Sequence, residues 1–376
     1  MNETPSSPAT AIKKMLEQRN WTQTDLAFLL GWHSSEVSQL LTERKNFTPK
    51  IARDLAIVFN TTPDFWLDIH RKYELSKLGA ADNSLTKRSY LYNRFPVKEM
   101  LKRNWITPND DVDKLESQIL EFFNLKSADD EINLSYAAKK SNSYFQTTPA
   151  QAAWITRAYK LARGAMVKEF SQKSLAGALE KLKLLLFDVE EIRHIPKILS
   201  DAGIRLLIIE PLPGSKIDGV TFWIDDNSPV IVLSLRFDRI DSFWHTLLHE
   251  LSHVENNEGK DAPIIDSDLL NEDSPEVEKP EFEKRADKDA AEFSIPVNKL
   301  DSFLMRVHPT YSETKILGFS ALNKVHAGIV VGQLHHRHKI SGKGLPFTHL
   351  RKYLVKVRQI ITETALTDGY GYQHFI

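Results

Sequence analysis

No cysteine occurs in the 376 residues. Its absence removes disulfide frameworks, thiolate zinc fingers and cysteine nucleophiles together, so any metal must be held by histidine, aspartate or glutamate; a reducing compartment fits as well. An excess of either charge is also missing. The 49 Lys and Arg stand against 50 Asp and Glu, so no chain-wide field draws the protein to DNA, and a nucleic-acid surface must be a local patch. No apolar run reaches membrane-spanning length, and the first dozen residues, with Pro5 and Pro8, lack the basic start and apolar stretch of a secretory signal. A cytoplasmic chain with no membrane partner is expected. With 41% hydrophobic residues there is enough apolar surface for buried cores, and the length argues for about two or three domains.

Residues 1–77 parse as five short amphipathic helices. Ala11, Ile12, Met15 and Leu16 recur at helical spacing; Thr22 caps a second helix carrying Leu26, Ala27, Leu29 and Leu30; Gly31 ends it. Ser34 or Ser35 starts a third, with Val37, Leu40 and Leu41 inward. Thr48-Pro49 and Thr62-Pro63 open the fourth and fifth, the cap and first-turn proline in the expected order. Residues 78–82 read as a linker, and 83–200 as a helical connecting domain without catalytic signal. From Gly203 the period changes to that of strands: 204–209, 220–224 and 230–235 are apolar, β-branched-rich runs separated by turn residues, and Asp241 is expected to cap the apolar helix that follows. The chain is thus expected to be mainly α with a small β-sheet, an α+β architecture.

That last helix carries His249-Glu250-Leu251-Ser252-His253. Histidines four apart lie one turn apart on one face and can meet a single zinc ion (Zn2+), while the glutamate between them can reach a water molecule as general base. Chance would produce the pattern about 0.03 times in such a chain. Residues 254–283 hold eleven acidic and two basic residues, with Pro263, Pro275 and Pro280, and read mostly as a long acidic loop. In the helix that follows, Ala286, Ala290 and Ala291 permit close packing on a neighbour, which makes Glu283 the expected third ligand, with Glu281 or Asp287 as alternatives. His245 stands one turn before His249; an outer role is favoured over ligation. The tract of His335, His336 and His338, interleaved with Arg337 and Lys339, reads as a solvated basic segment.

The N-terminal pattern of helix, glycine turn and helix is that of a DNA reader. Ser38 and Gln39 suit base edges, Gln23 can meet a phosphate, and Arg44, Lys45 and Lys50 form a positive rim. His33, in the turn, is expected to be exposed.

Two resemblances sharpen both readings. Asn20-Trp-Thr-Gln-Thr-Asp-Leu-Ala27, Leu30-Gly-Trp32 and Ser34-Ser-Glu-Val-Ser-Gln-Leu-Leu41 resemble the Xre, or Cro/C1-type, helix-turn-helix family, and residues 61–69 are similar to HigA-type antitoxins. The resemblance implies operator DNA as partner, Ser34, Ser35, Ser38 and Gln39 on the recognition helix, and a homodimer. Phe243-Trp-His-Thr-Leu-Leu-His249-Glu-Leu-Ser-His253-Val254, then Glu283-Lys-Arg-Ala286-Asp287 and Ile295-Pro296, resemble the ImmA/IrrE zinc metallopeptidases, with 325–334 similar to the segment after the ligand helix. This implies a zincin-like domain over 201–376 with His249, His253 and Glu283 as zinc ligands, Glu250 as catalytic base, and a protein substrate such as a repressor or toxin. Arg285 stands where many relatives carry a second acidic residue, which removes that alternative ligand.

Overall fold

The computed structural model describes residues 6–78, 83–132, 134, 147–267 and 280–371. It forms two compact units, Met1–Lys87 and Arg88–Ile376. The expected linker lies, from residue 79 on, outside the described residues, as does 268–279 of the acidic stretch.

Five helices build the first unit: α1 (Pro8–Arg19), α2 (Gln23–Leu30), α3 (Ser34–Leu41), α4 (Pro49–Phe59) and α5 (Pro63–Lys77). Their ends are set as the sequence predicts. The hydroxyls of Thr22, Thr48 and Thr62 accept the backbone N–H groups of Asp25, Ile51 and Phe65, and Gly31 closes α2 at φ +65°, which costs glycine little. The core joins Ile12, Leu16, Leu26, Val37, Leu40, Leu55, Phe59 and Trp66. Of the apolar residues on α2, Leu26 and Ala27 are buried, whereas Leu29 is 47% exposed.

The second unit is built on a sheet. Helices α6 (Asn83–Arg94), which runs across the boundary, α7 (Val97–Lys102), α8 (Val112–Phe123), α9 (Pro149–Gly164), α10 (Gln172–Leu185) and α11 (Ile195–Asp201) precede β1 (Arg205–Ile208), β2 (Ile217–Trp223) and β3 (Pro229–Leu233). Then come α12 (Ile240–Glu255), β4 (Ile264–Ser267), α13 (Glu281–Ser294), α14 (Val297–Val307), α15 (Glu313–Asn323), α16 (Ala327–Ser341), α17 (Arg358–Thr362) and β5 (Leu366–Thr367). The sheet order is β4-β2-β3-β1-β5; β1 is parallel to β3 and β5, and β2 is antiparallel to β3 and β4. The three strands read from the sequence are therefore present, and two further ones join them. The stretch expected as acidic loop supplies β4, and the C-terminal segment supplies β5.

Alternation explains why the sheet is covered on both sides. Leu206, Ile208, Ile231 and Leu233 share a core with α12, whereas Leu207, Val220, Phe222, Val230 and Val232 share one with Met100, Ile119, Phe122, Trp154, Ile155 and Ala158 from α7 to α9. Each large side chain buried there is worth about 1.5–3 kcal/mol, which a sheet face left in water would forfeit. Residues 83–200 are consequently not a separate connecting domain: α7 to α9 are the second layer of the sheet, and α10 and α11 pack into the core on the α12 side. Two smaller expectations also change. Asp241 sits in the first turn of α12, paired with Arg239 at 2.9 Å, while Arg239 holds the N-cap position. His335 is buried, its Nε2–H donating to the His349 carbonyl at 2.9 Å, so the histidine tract is not wholly solvated. Among the described residues no helix is long and apolar enough to cross a membrane.

Candidate metal centre and nucleic-acid face

Helix α12 is buried on nearly every side, and three of the residues it buries are ionisable. His249, Glu250 and His253 are each 0% exposed. Burying charge without partners costs several kcal/mol, so the surroundings must supply them. They come from α13 and β4. Small Ala286 and Ala290 bring α13 against α12, and Ser252 Oγ donates to Asp289 at 2.8 Å across that contact. One turn before Ala286, Glu283 places Oε2 3.0 Å from His249 Nε2 and 3.8 Å from His253 Nε2, while the two Nε2 atoms stand 3.1 Å apart. His249, His253 and Glu283, predicted as a set, are thus brought together.

The alternatives separate cleanly. Glu281 is exposed and pairs with Lys284 at 2.8 Å. Asp287 lies on the other side of His249, accepting from Nδ1–H at 2.9 Å. Glu258 does the same for His253 at 2.8 Å and is itself gripped by Arg285. Each carboxylate fixes the orientation of a ring and turns its Nε2 toward the cluster, the outer arrangement that metal-binding histidines use. Arg285, noted in the sequence only for what it replaces, therefore anchors one of these supports. His245 Nε2 lies 3.5 Å from Asp287 Oδ1, and His245, His249 and Asp287 form a second group close enough to hold an ion.

One residue was missed. Asp266 of β4, 3% exposed, sets Oδ2 3.2 Å from His249 Nε2 and 3.9 Å from His253 Nε2. Its only sequence signal is the short apolar run Ile264-Ile265 inside the acidic stretch. His249, His253, Asp266 and Glu283 together could hold a metal ion. Two imidazole nitrogens with carboxylate oxygens are a donor set that suits zinc, and Oδ2 of Asp266 and Oε1 of Glu250 are buried without a hydrogen-bond partner. The set fits a cation.

Electrostatics say the same. Burial opposes charge on His249, yet Asp266, Asp287 and Glu283 outweigh it and raise that imidazole well above the ordinary histidine range. Burial, with the neighbouring His249 charge, pulls His253 down against Asp266 and Glu258. Burial, then Asp266, pushes the Glu250 carboxyl well above the usual carboxylate range, and burial drives Glu283 up to about 7. Against burial, His249 holds Asp266 low, and His245 and His249 hold Asp287 low. Glu250 Oε2 accepts from the Thr221 hydroxyl at 2.6 Å, and its other oxygen lies over Gly219, where any Cβ would stand 2.0 Å away. Neighbouring residues on β2 thus make the pocket for this carboxyl.

On the first unit, Ser34, Ser35, Ser38 and Gln39 line the exposed face of α3, with Gln23 exposed at the start of α2 and Arg44 and Lys50 exposed beyond α3. His33 is exposed too; its N–H is taken by Glu36 at 3.2 Å. Lys45 differs from expectation. Its ammonium is bound to Glu36 at 2.7 Å and lies 4.8 Å over the Trp32 ring, so the positive rim rests on Arg44 and Lys50.

Comparison with known proteins covers both units. Residues 12–66 match the model of the helix-turn-helix family, and residues 200–314 match that of the IrrE N-terminal-like domain. The uncharacterized HTH-type transcriptional regulator YbaQ of Escherichia coli K12 is 31% identical over 100 residues, which are 26% of this chain and 86% of that protein. An uncharacterized HTH-type transcriptional regulator of Haemophilus influenzae is 32% identical over 76 residues, 20% of this chain and 71% of that protein.

Proposed function

Since the chain belongs to the helix-turn-helix transcriptional regulators and carries an IrrE N-terminal-like domain, we propose that it is a DNA-binding regulator whose second unit is a zinc-dependent endopeptidase acting on one protein partner, such as a repressor or toxin. The observation that carries this reading is the convergence of His249, His253 and Glu283 beside the buried Glu250. Ser34, Ser35, Ser38 and Gln39 would read operator bases, with Gln23 and Arg44 on phosphates.

In the second unit His249, His253 and Glu283 would hold the zinc, which when bound supplies Lewis-acid polarisation of a peptide carbonyl. Asp287 and Glu258 keep the two imidazoles oriented. Glu250 takes a proton from the attacking water and returns it to the departing amine nitrogen. Thr221 holds the other oxygen of that carboxyl in place. The substrate would lie as an extended strand along the sheet edge that β4 forms.

Elemental analysis and a cleavage assay test this together. One zinc per chain, lost in His249→Ala and Glu283→Ala, with cleavage of a co-encoded protein but not casein by wild type and none by Glu250→Gln, is the expected result. No metal even after zinc is supplied would overturn it. A second reading, an antitoxin-like repressor whose metallopeptidase fold holds metal or senses a partner and cleaves little, is favoured by one observation: a fourth buried carboxylate, Asp266, at the cluster.

A further inference from the structure

Four metal-ligating atoms face one another at the centre of the second unit. Nδ1 of His249 lies 2.9 Å from Asp287 and Nδ1 of His253 2.8 Å from Glu258, so both rings turn Nε2 toward the cluster, where it can bind a metal once deprotonated, and Asp266 and Glu283 add carboxylate oxygens. Asp266 Oδ2 makes no hydrogen bond among the described residues, although the residue is 3% exposed and His249 Nε2 stands 3.2 Å away. A buried carboxylate so placed calls for positive charge at the cluster.

The spacing identifies the kind of site. Donors about 2.0–2.1 Å from one zinc in a tetrahedron stand about 3.3 Å from each other. The separations here are 3.0 and 3.8 Å from Glu283 to the two imidazole nitrogens, 3.2 and 3.9 Å from Asp266 to the same atoms, and 3.1 Å between the nitrogens. All four donor atoms lie within 4.8 Å of one another. Asp266 is therefore as well placed as Glu283.

Strand pairing is what puts it there. Asp266 pairs with Gly219 of β2 and Ile265 with Val220, with a register irregularity between Ile217 and Gly219. Paired residues share a face of the sheet, so Asp266 faces α12 as Gly219 does, whereas Ile265 packs into the opposite core. A slip of one residue would exchange them.

Resting on the metal-site reading above, we propose that Asp266 is a fourth protein donor to the metal and that, while β4 is paired with β2, it closes the centre. A catalytic zinc keeps one position for water or substrate, and four protein donors leave none. Hydrolysis then requires Asp266 to withdraw, so activity is tied to the β4–β2 pairing, and the same chain stores metal in a latent form until that pairing yields.

The test uses the full chain loaded with Co2+, a coloured substitute for zinc, in wild type, Asp266→Ala, Asp266→Asn and His249→Ala. The wild-type visible spectrum should be unmoved by added azide, because no position is free. Asp266→Ala should bind Co2+ about a hundredfold more weakly, at the upper end of what loss of an outer partner alone costs, and azide should shift its spectrum. Asp266→Asn, which keeps the side chain's shape, should weaken binding in the same direction if the alanine variant loses its fold. A wild-type spectrum that responds to azide as Asp266→Ala does would overturn the closed fourth position while leaving the metal site standing, provided His249→Ala abolishes binding. If wild type binds no Co2+ at all, the metal reading itself falls and this proposal with it.

Discussion

Replacing Gly219 with alanine puts two physical effects in opposition, and their signs differ. Inside a strand, alanine in place of glycine restricts the unfolded chain and should stabilise by about 0.5–1 kcal/mol. The φ of Gly219 is open to any residue, so no backbone strain cancels that gain. Contact does. The new Cβ would lie 2.0 Å from Glu250 Oε1 and 3.0 Å from Thr246 Cγ2, between a strand and a helix that are both buried. The carboxyl cannot swing into solvent, because Glu250 is 0% exposed and its second oxygen is held by Thr221 at 2.6 Å. Overpacking of this kind costs about 1–3 kcal/mol, and loss of the Thr221 hydrogen bond adds about 0.5–1.5 kcal/mol. The net expectation is destabilisation by about 0.5–4 kcal/mol, or a fall in the second unit's melting temperature of about 2–4 °C for each kcal/mol. Thermal unfolding followed by calorimetry, with the first unit's transition as internal reference, measures it. The double variant with Glu250→Ala should recover most of the loss, since the clash disappears with the carboxyl. A Gly219→Ala protein as stable as wild type or more so would refute the placement of Glu250 against β2, and with it the pocket assigned to the general base.

Three further outcomes are expected. Asp287→Asn should weaken metal binding by about 10–100-fold in a chelator competition, and Glu283→Gln by more; the reverse order would exchange their roles as support and ligand. Because the Glu283 carboxyl is pushed up to about 7 and the His249 imidazole is held above the ordinary histidine range, protons on both compete with the metal; affinity measured across pH 5.5 to 8.5 should rise with pH throughout, and a flat profile would count against this ligand pair. On the first unit, Gln39→Ala should cost about 1–3 kcal/mol of discrimination between an operator and random DNA, Arg44→Ala should reduce the salt slope of binding by about 0.9, and Lys45→Ala should leave that slope unchanged because Glu36 already neutralises it.

Which of these features a sequence discloses depends on how far apart the interacting residues lie along the chain. The helix ends of the first unit are local: Thr22 and Asp25, or Thr48 and Ile51, are three residues apart, so type and spacing suffice. His249, Glu250 and His253 lie within five residues, and Glu283 is found 34 residues from His249 because a recognisable stripe of alanines marks the helix that carries it. Asp266 has no such mark. Its position depends on antiparallel pairing of a four-residue strand with Gly219, 47 residues earlier by numbering, across a register irregularity that no periodicity announces. The middle helices fail for a related reason: an amphipathic pattern says that a face of α9 is apolar, not that it will cover Val220 and Phe222. Lys45 shows the converse, a charge that composition counts as free and that Glu36, nine residues away, engages. Gly219 is the most instructive position. Within its own strand a glycine is a defect, and only the carboxyl of Glu250, delivered by a helix 31 residues later, turns the missing side chain into a requirement. Residues that make chemistry can be read from short motifs, whereas residues that make room for it are legible only from the partner they accommodate.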